Sequence, residues 1–259
     1  MIWAILLGTI QAITEFLPIS SSAHLLISPW LFGFPRMGLA FDAALHIGTS
    51  LALLLFFWRD FWQMIQKRDK FLWLILIASI PGAAIGFFGD KLIEQYLHEG
   101  SAAILIAAVG MILMTGVIWY IDATAKLQKD LSKMTRKEAF LVGLAQALAL
   151  IPGMSRSGAT IAAGLAAGYT REAAARFSFL IGTPIALGAG LYKATDIVQA
   201  QPSNTELMQL IVGVVTAAVL GFVVIRWLLG YVQKHSLRVF LIYRLVFASI
   251  VIIVWFVRQ

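Results

Sequence analysis

Apolar residues run through this chain in long continuous blocks, separated by short polar stretches, with little of the strict alternation a half-buried strand would show. Blocks of that kind predict membrane helices, since about 20 apolar residues in helical form cross the hydrocarbon core. Residues 2 to 17 form a first apolar stretch that carries Gln11 and Glu15 and stops at Pro18; it is too short and too polar at its end to span, and a second short helix is expected over 22 to 32. Six full spans are expected at 41 to 58, 72 to 88, 104 to 120, 170 to 192, 207 to 229 and 239 to 257, the second kinked at Pro81-Gly82. Two more short helices, 138 to 150 and from Ser155 to 167, flank the helix-breaking pair Pro152-Gly153. Ser155 and Thr170 are the expected N-caps of the helices that follow them, with Glu172 and Arg176 paired across one turn.

The polar connections set a topology. Lys67, Arg68 and Lys70 make one loop basic, Lys126, Lys129, Lys133, Arg136 and Lys137 a second, and Lys234, His235 and Arg238 a third, so all three read as cytoplasmic. The connections at 89 to 101, with Asp90, Lys91, Glu94 and Glu99, and at 195 to 206, with Asp196 and Glu206, read as external. Both termini then lie outside. Residues 2 to 32 and 138 to 168 can only be re-entrant hairpins, entering from the external and the cytoplasmic face respectively. The basic loop 122 to 137 divides one membrane domain into halves, 1 to 121 and 138 to 259.

The halves resemble each other. Ile47-Gly48-Thr49-Ser50-Leu51-Ala52-Leu53 matches Ile181-Gly182-Thr183-Pro184-Ile185-Ala186-Leu187 (47 to 181, an offset of 134), and Gly8, Gln11, Ala12, Ser20 and Ser22 match Gly143, Gln146, Ala147, Ser155 and Ser157 (8 to 143, an offset of 135). Because the matched span runs inward at Arg59 and outward at Lys193, the repeat is inverted, and inverted repeats with broken helices bring their polar breaks together near the midplane.

Composition agrees with this reading: 60% of the 259 residues are hydrophobic and 13% charged, with a mean hydropathy of +0.87. An all-α polytopic membrane protein is expected, with about six full spans and two re-entrant hairpins, and a transmembrane β-barrel is excluded. The net charge of +7 sits in the loops and points to anionic lipid headgroups, not nucleic acid. The absence of cysteine excludes disulfides, thiolate zinc sites and cysteine nucleophiles. The N-terminus lacks a basic start and a cleavage site, so it is expected to belong to the mature fold.

Candidate chemistry concentrates at the two breaks. In Pro152-Gly153-Met154-Ser155-Arg156-Ser157-Gly158-Ala159-Thr160, a new helix N-terminus and the Arg156 fork suit an anion, and phosphate best. The competing structural reading pairs Arg156 with a carboxylate, Glu15 foremost. A carboxylate inside an apolar stretch is by default paired or functional, and Gln11 lies one turn before Glu15 on the same face, so both side chains can reach one ligand or metal ion. His24 and the serines at 20 to 22 offer a proton carrier, a nucleophile or helix caps. Arg244, in mid-span, should face a polar cavity, and His46 and Asp42 are weaker candidates.

Gln11-Ala12-Ile13-Thr14-Glu15-Phe16-Leu17-Pro18-Ile19-Ser20-Ser21-Ser22-Ala23-His24, together with the 152 to 160 motif, Phe41-Asp42-Ala43-Ala44-Leu45-His46-Ile47-Gly48-Thr49 and Ile242-Tyr243-Arg244, resembles the undecaprenyl-diphosphate phosphatase family of the bacterial cytoplasmic membrane. The resemblance covers most of the chain. It implies hydrolysis of undecaprenyl diphosphate to undecaprenyl phosphate and inorganic phosphate at the external side, recycling a lipid carrier for cell-wall synthesis. It implies catalytic roles for Glu15, Ser21, His24 and Arg156, with Ser21 and His24 both open as nucleophile or proton carrier. Phosphate contacts are implied for Ser155, Ser157, Thr160 and Arg244. A divalent cation, Mg2+ or Ca2+, is expected on Glu15 and Gln11, although family members vary between Glu and Gln at position 11. The partners expected are undecaprenyl diphosphate, membrane lipid and a second copy of the chain. A polyprenyl-phosphate transporter on the same inverted repeat and a non-catalytic lipid-binding protein are the alternatives.

Overall fold

The apolar run at the N-terminus forms α1 (Ile2–Phe16) and ends where the next proline dictates: Leu17, the residue before Pro18, is extended at φ −67°, ψ 144°. The computed structural model describes residues 1–67, 69–93, 100–199 and 202–258. The expected external loops 89 to 101 and 195 to 206 fall partly outside these, Glu94 and Glu99 included, as does Arg68. After the break comes α2 (Ser21–Phe32), then α3 (Leu39–Phe56), α4 (Trp58–Gln66), α5 (Lys70–Ile93) and α6 (Gly100–Thr124). The second half holds α7 (Arg136–Ala147), α8 (Arg156–Ala166), α9 (Arg171–Gln199), α10 (Asn204–Lys234) and α11 (Arg238–Val257). Among the described residues there is no strand, only one isolated bridge between Lys129 and Tyr169.

Among the described residues five helices are long and apolar enough to span a membrane: α5, α6, α9, α10 and α11. α3 and α4 pass the same test only when taken together, across a bend of 65° at Phe57. The sequence ends this span at Trp58, with a loop after it; the structure ends α3 at Phe56 and folds that loop into α4, a separate amphipathic piece. Pro81, where a kink is expected, lies inside α5, which is one continuous helix. Large apolar side chains such as Leu55, Phe88, Val219 and Ile253 stand more than half exposed on the outer faces. Water does not tolerate so much apolar surface, whereas lipid does, and the protein is a multi-pass membrane protein.

Ser155, Thr135 and Ser203 cap their helices as their residue types favour, and the last two complete capping boxes with Glu138 and Glu206. Thr170 accepts from the Ala173 N–H, as expected of an N-cap. Arg176, however, does not pair with Glu172: it reaches Asp60 on α4 at 2.5 Å, while Arg171 binds Asp122 at 2.6 Å. The spacing of Glu172 and Arg176 permitted a local pair, but a carboxylate from a neighbouring helix took the guanidinium.

Candidate active site

Four short helices that meet at two breaks carry Glu15, Ser21, Ser155 and Arg156 into the site. α1 meets α2 across residues 17–20, and α7 meets α8 across 148–155; α1 also touches α8. Each break ends in a serine with left-handed backbone, Ser20 at φ 76° and Ser155 at φ 66°. A side-chain-bearing residue held there costs about 1–3 kcal/mol, and such strain is retained mainly where function needs it. The local bonding repeats too: Ser20 Oγ lies 3.4 Å from Ser22 Oγ, and Ser155 Oγ 3.3 Å from Ser157 Oγ.

Glu15, on the last turn of α1, is the hub. Its Oε2 accepts from Ser21 Oγ at 2.6 Å and from Gln11 Nε2 at 3.2 Å. Its Oε1 accepts from Arg156 Nε and Nη2, both at 3.3 Å. Arg156 Nη1 donates to the Ser178 carbonyl at 3.0 Å, so the fork is held from two sides. Gly182 makes room for it, since a Cβ there would run into the guanidinium. The structural pairing of Glu15 with Arg156 weighed from sequence therefore exists, but the same carboxylate also holds a serine hydroxyl. Glu15, Ser21, Ser155 and Arg156 line a cavity of about 360 Å³ whose other wall is apolar, with Leu25, Leu150 and Ile185.

Other expected site residues lie elsewhere. His24 does not line the cavity; its Nδ1 sits 2.7 Å from the Ser20 carbonyl and its Nε2 2.9 Å from Tyr243 Oη, and its ring stacks on Phe247. Ser157 donates to the Leu17 carbonyl, while Thr160 donates to the Arg156 carbonyl and meets Ser178 Oγ at 2.6 Å, so both tie backbone together outside the cavity lining. Arg244, expected to bind phosphate in a polar cavity, is wholly buried. Its donors go to Thr115 Oγ1 and to the carbonyls of Pro18, Met111 and Gly153, at 2.8 to 3.1 Å. One arginine thus clamps both breaks to α6.

His46 and Asp42, weakly signalled in the sequence, do line the cavity. His46 Nδ1 lies 3.0 Å from Gln11 Nε2 and 3.4 Å from Glu15 Oε2. Their signal was the position of two polar groups one turn apart on an apolar helix. The role of Gly182 carried no such signal. Among the described residues no group of three or more His, Asp or Glu is arranged to hold a metal. Gln11 does not line the cavity; its Nε2 faces Glu15, and its buried Oε1, an oxygen of the kind that suits a hard cation, has no hydrogen-bond partner.

Comparison with known proteins adds a family to this geometry. A protein named undecaprenyl-diphosphatase from Caldicellulosiruptor bescii is 41% identical over 266 residues, covering 98% of this chain and 97% of that protein. Proteins of the same name from Desulforudis audaxviator, 42% identical over 262 residues with 98% and 97% covered, and from Thermodesulfovibrio yellowstonii, 41% identical over 258 residues with 99% and 98% covered, are similarly alike. Residues 4–250 match the family described as bacitracin resistance protein BacA, and the chain belongs to that family.

Proposed function

We propose that the protein hydrolyses undecaprenyl diphosphate to undecaprenyl phosphate and inorganic phosphate. The relatives' shared name supports this substrate, and the observation that carries the chemistry is Glu15 holding a serine hydroxyl and an arginine fork in one cavity. Arg156 binds the terminal phosphate and Glu15 takes the Ser21 proton. Ser21 Oγ attacks phosphorus, the bond to the bridging oxygen breaks, and lipid monophosphate leaves. The proton held by Glu15 passes to the departing lipid monophosphate; Glu15 then takes a proton from water as it attacks the Ser21 phosphoester, and returns it to Ser21 Oγ as inorganic phosphate leaves. His24 positions Ser21 by holding the strained Ser20 turn, and Arg244 fixes the two breaks relative to each other. A divalent cation would be held by Glu15 and Gln11 Oε1, completed by diphosphate oxygens, and would neutralise charge on the phosphates. The prenyl chain runs along the apolar wall toward lipid.

The halves are related by inverted topology, with α1–α2 and α7–α8 as re-entrant hairpins. Helix pairing supports this: α1 packs on α10 as α7 packs on α5, while α3 meets α9 and α6 meets α11. A Cβ on Gly8 would lie 2.8 Å from the Gly213 carbonyl, and one on Gly143 would run into the Ala78 carbonyl. Both pairs sit at the same offset, 8 to 143 and 78 to 213. With the basic loops cytoplasmic, the site opens to the outside of the bacterial cytoplasmic membrane and both termini are external. Such repeats are also transporter architecture, but a serine bonded to a buried carboxylate favours hydrolysis. Purified protein in detergent with a divalent ion should release phosphate from undecaprenyl diphosphate; an inactive, folded protein would count against the enzyme reading.

A further inference from the structure

Gln146 stands near the end of α7, on the cavity wall and only 3% exposed, and neither its amide nitrogen nor its amide oxygen has a hydrogen-bond partner in the protein. A buried primary amide with both ends unpaired is disfavoured unless something else meets it. The sequence register of the two halves explains the missing partners. Gln146 corresponds to Gln11 (11 to 146, an offset of 135), whose nitrogen faces Glu15 and His46. The positions matching those two are Leu150 (15 to 150) and Leu180 (46 to 180), both aliphatic. The amide has been kept where its protein partners have been replaced by hydrocarbon.

α5 packs beside it through a glycine. Gly82 on α5 also lines the cavity, and a Cβ there would lie 3.5 Å from Gln146 Nε2 and 3.0 Å from Ile185 Cδ1. The neighbouring wall, Ala149, Leu150 and Ile185, is apolar. Glu15, Ser21 and Arg156 line the same cavity as Gln146. A lipid diphosphate with its terminal phosphate at Arg156 and its chain along the apolar wall has its lipid-linked phosphate within the same cavity, where the Gln146 amide is a donor without a protein partner.

We propose that Gln146 is a substrate-binding residue whose amide nitrogen donates to an oxygen of the lipid-linked phosphate, with its amide oxygen accepting a hydrogen bond from water in the same cavity. This deepens the phosphatase reading and rests on it. The lipid-linked phosphate is the leaving group, so a donor there stabilises the charge that develops as the bridging bond breaks. A neutral amide can do this without placing a second positive charge beside Arg156.

The test compares the parent chain with Gln146→Met, which keeps the length and removes the polar atoms, and Gln146→Asn, which withdraws the amide by one methylene. Three quantities are measured: thermal stability in detergent, kcat and KM for undecaprenyl diphosphate, and stabilisation by a methylene-bridged, non-hydrolysable prenyl diphosphate. Gln146→Met should melt at or above the parent temperature, while kcat/KM and analogue affinity fall about 10- to 100-fold, the loss of one hydrogen bond to a charged oxygen. Gln146→Asn should lose affinity in the same direction. A Gln146→Met chain that loses stability, or keeps parental kinetics and affinity, overturns the proposal, because the amide then serves the fold or serves nothing. If the parent binds the analogue but does not hydrolyse the lipid, the phosphatase reading fails and the affinity comparison still decides the role of Gln146. If the parent does not bind the analogue, both fall.

Discussion

Ser21 Oγ donates a 2.6 Å hydrogen bond to Glu15 Oε2 from across the Pro18 break. The hydroxyl is thereby oriented and its proton has a defined acceptor, which is the arrangement an activated nucleophile needs. Ser21→Ala should reduce turnover by about 10³-fold or more while leaving analogue binding within a few-fold. Acid quench of the parent during turnover should trap phosphoserine at position 21. A Ser21→Ala protein with near-parental kcat would exclude the covalent route and leave a water directly deprotonated by Glu15.

The second prediction concerns Gly182, which touches no substrate in the proposed arrangement. Any Cβ there collides with the Arg156 guanidinium. Gly182→Ala should displace the fork from Glu15 and the Ser178 carbonyl and lower kcat/KM by about 10²-fold, comparable to losing one preorganised anion donor. Arg156→Lys should be similarly damaging, because a single ammonium cannot hold Glu15 and the carbonyl together. Parental kinetics in Gly182→Ala would show that the fork has room to move without cost.

Arg244 should prove a residue of stability. Arg244→Leu strands the Pro18, Met111 and Gly153 carbonyls without their donor, and breaking a buried charged network of this kind costs about 3–5 kcal/mol. The melting temperature in detergent should therefore drop sharply. If it stays put while KM for undecaprenyl diphosphate rises, Arg244 binds substrate after all.

At the loop end of α7, outside the spans, burial alone would raise the Glu138 carboxyl, but hydrogen bonds from Lys129, Thr135 and Tyr169 outweigh it and hold it at about 2, below its ordinary 4.5. A folded value below the unfolded one means the folded state binds fewer protons between them. The stabilisation is therefore complete above about pH 4.5 and is lost as pH falls toward about 2. Glu138→Gln should melt lower than the parent at neutral pH, with the gap closing in that acid window. A gap that persists at low pH would assign the effect to geometry and not to charge.

Much of the site was legible because charge in an apolar helix has few explanations. Glu15, Ser21, Ser155 and Arg156 were each polar against an apolar background, and they do converge on the cavity. Gln11, His24, Ser157, Thr160 and Arg244 carried the same signal and lie outside the cavity lining, with Gln11 bonded to Glu15. Periodicity cannot separate a polar group that faces a ligand from one that satisfies a broken helix, since both answer the same need for a partner. The bend at Phe57 was hidden because Phe56, Phe57 and Trp58 continue the apolar run without a helix breaker.

The sequence by itself determined the class of the protein, the positions of its helices other than α4, the two breaks, and the internal match between its halves, because those follow from local hydrophobicity, proline and glycine chemistry, and register. Only the tertiary structure decided which polar residue meets which. Glu15 and Arg156 are 141 positions apart, and whether a guanidinium ends on a carboxylate, as Arg156 does, or on backbone carbonyls, as Arg244 does, depends on how non-adjacent helices approach. That approach is set by the small residues at Gly8, Gly143 and Gly182, whose contacts lie on other helices.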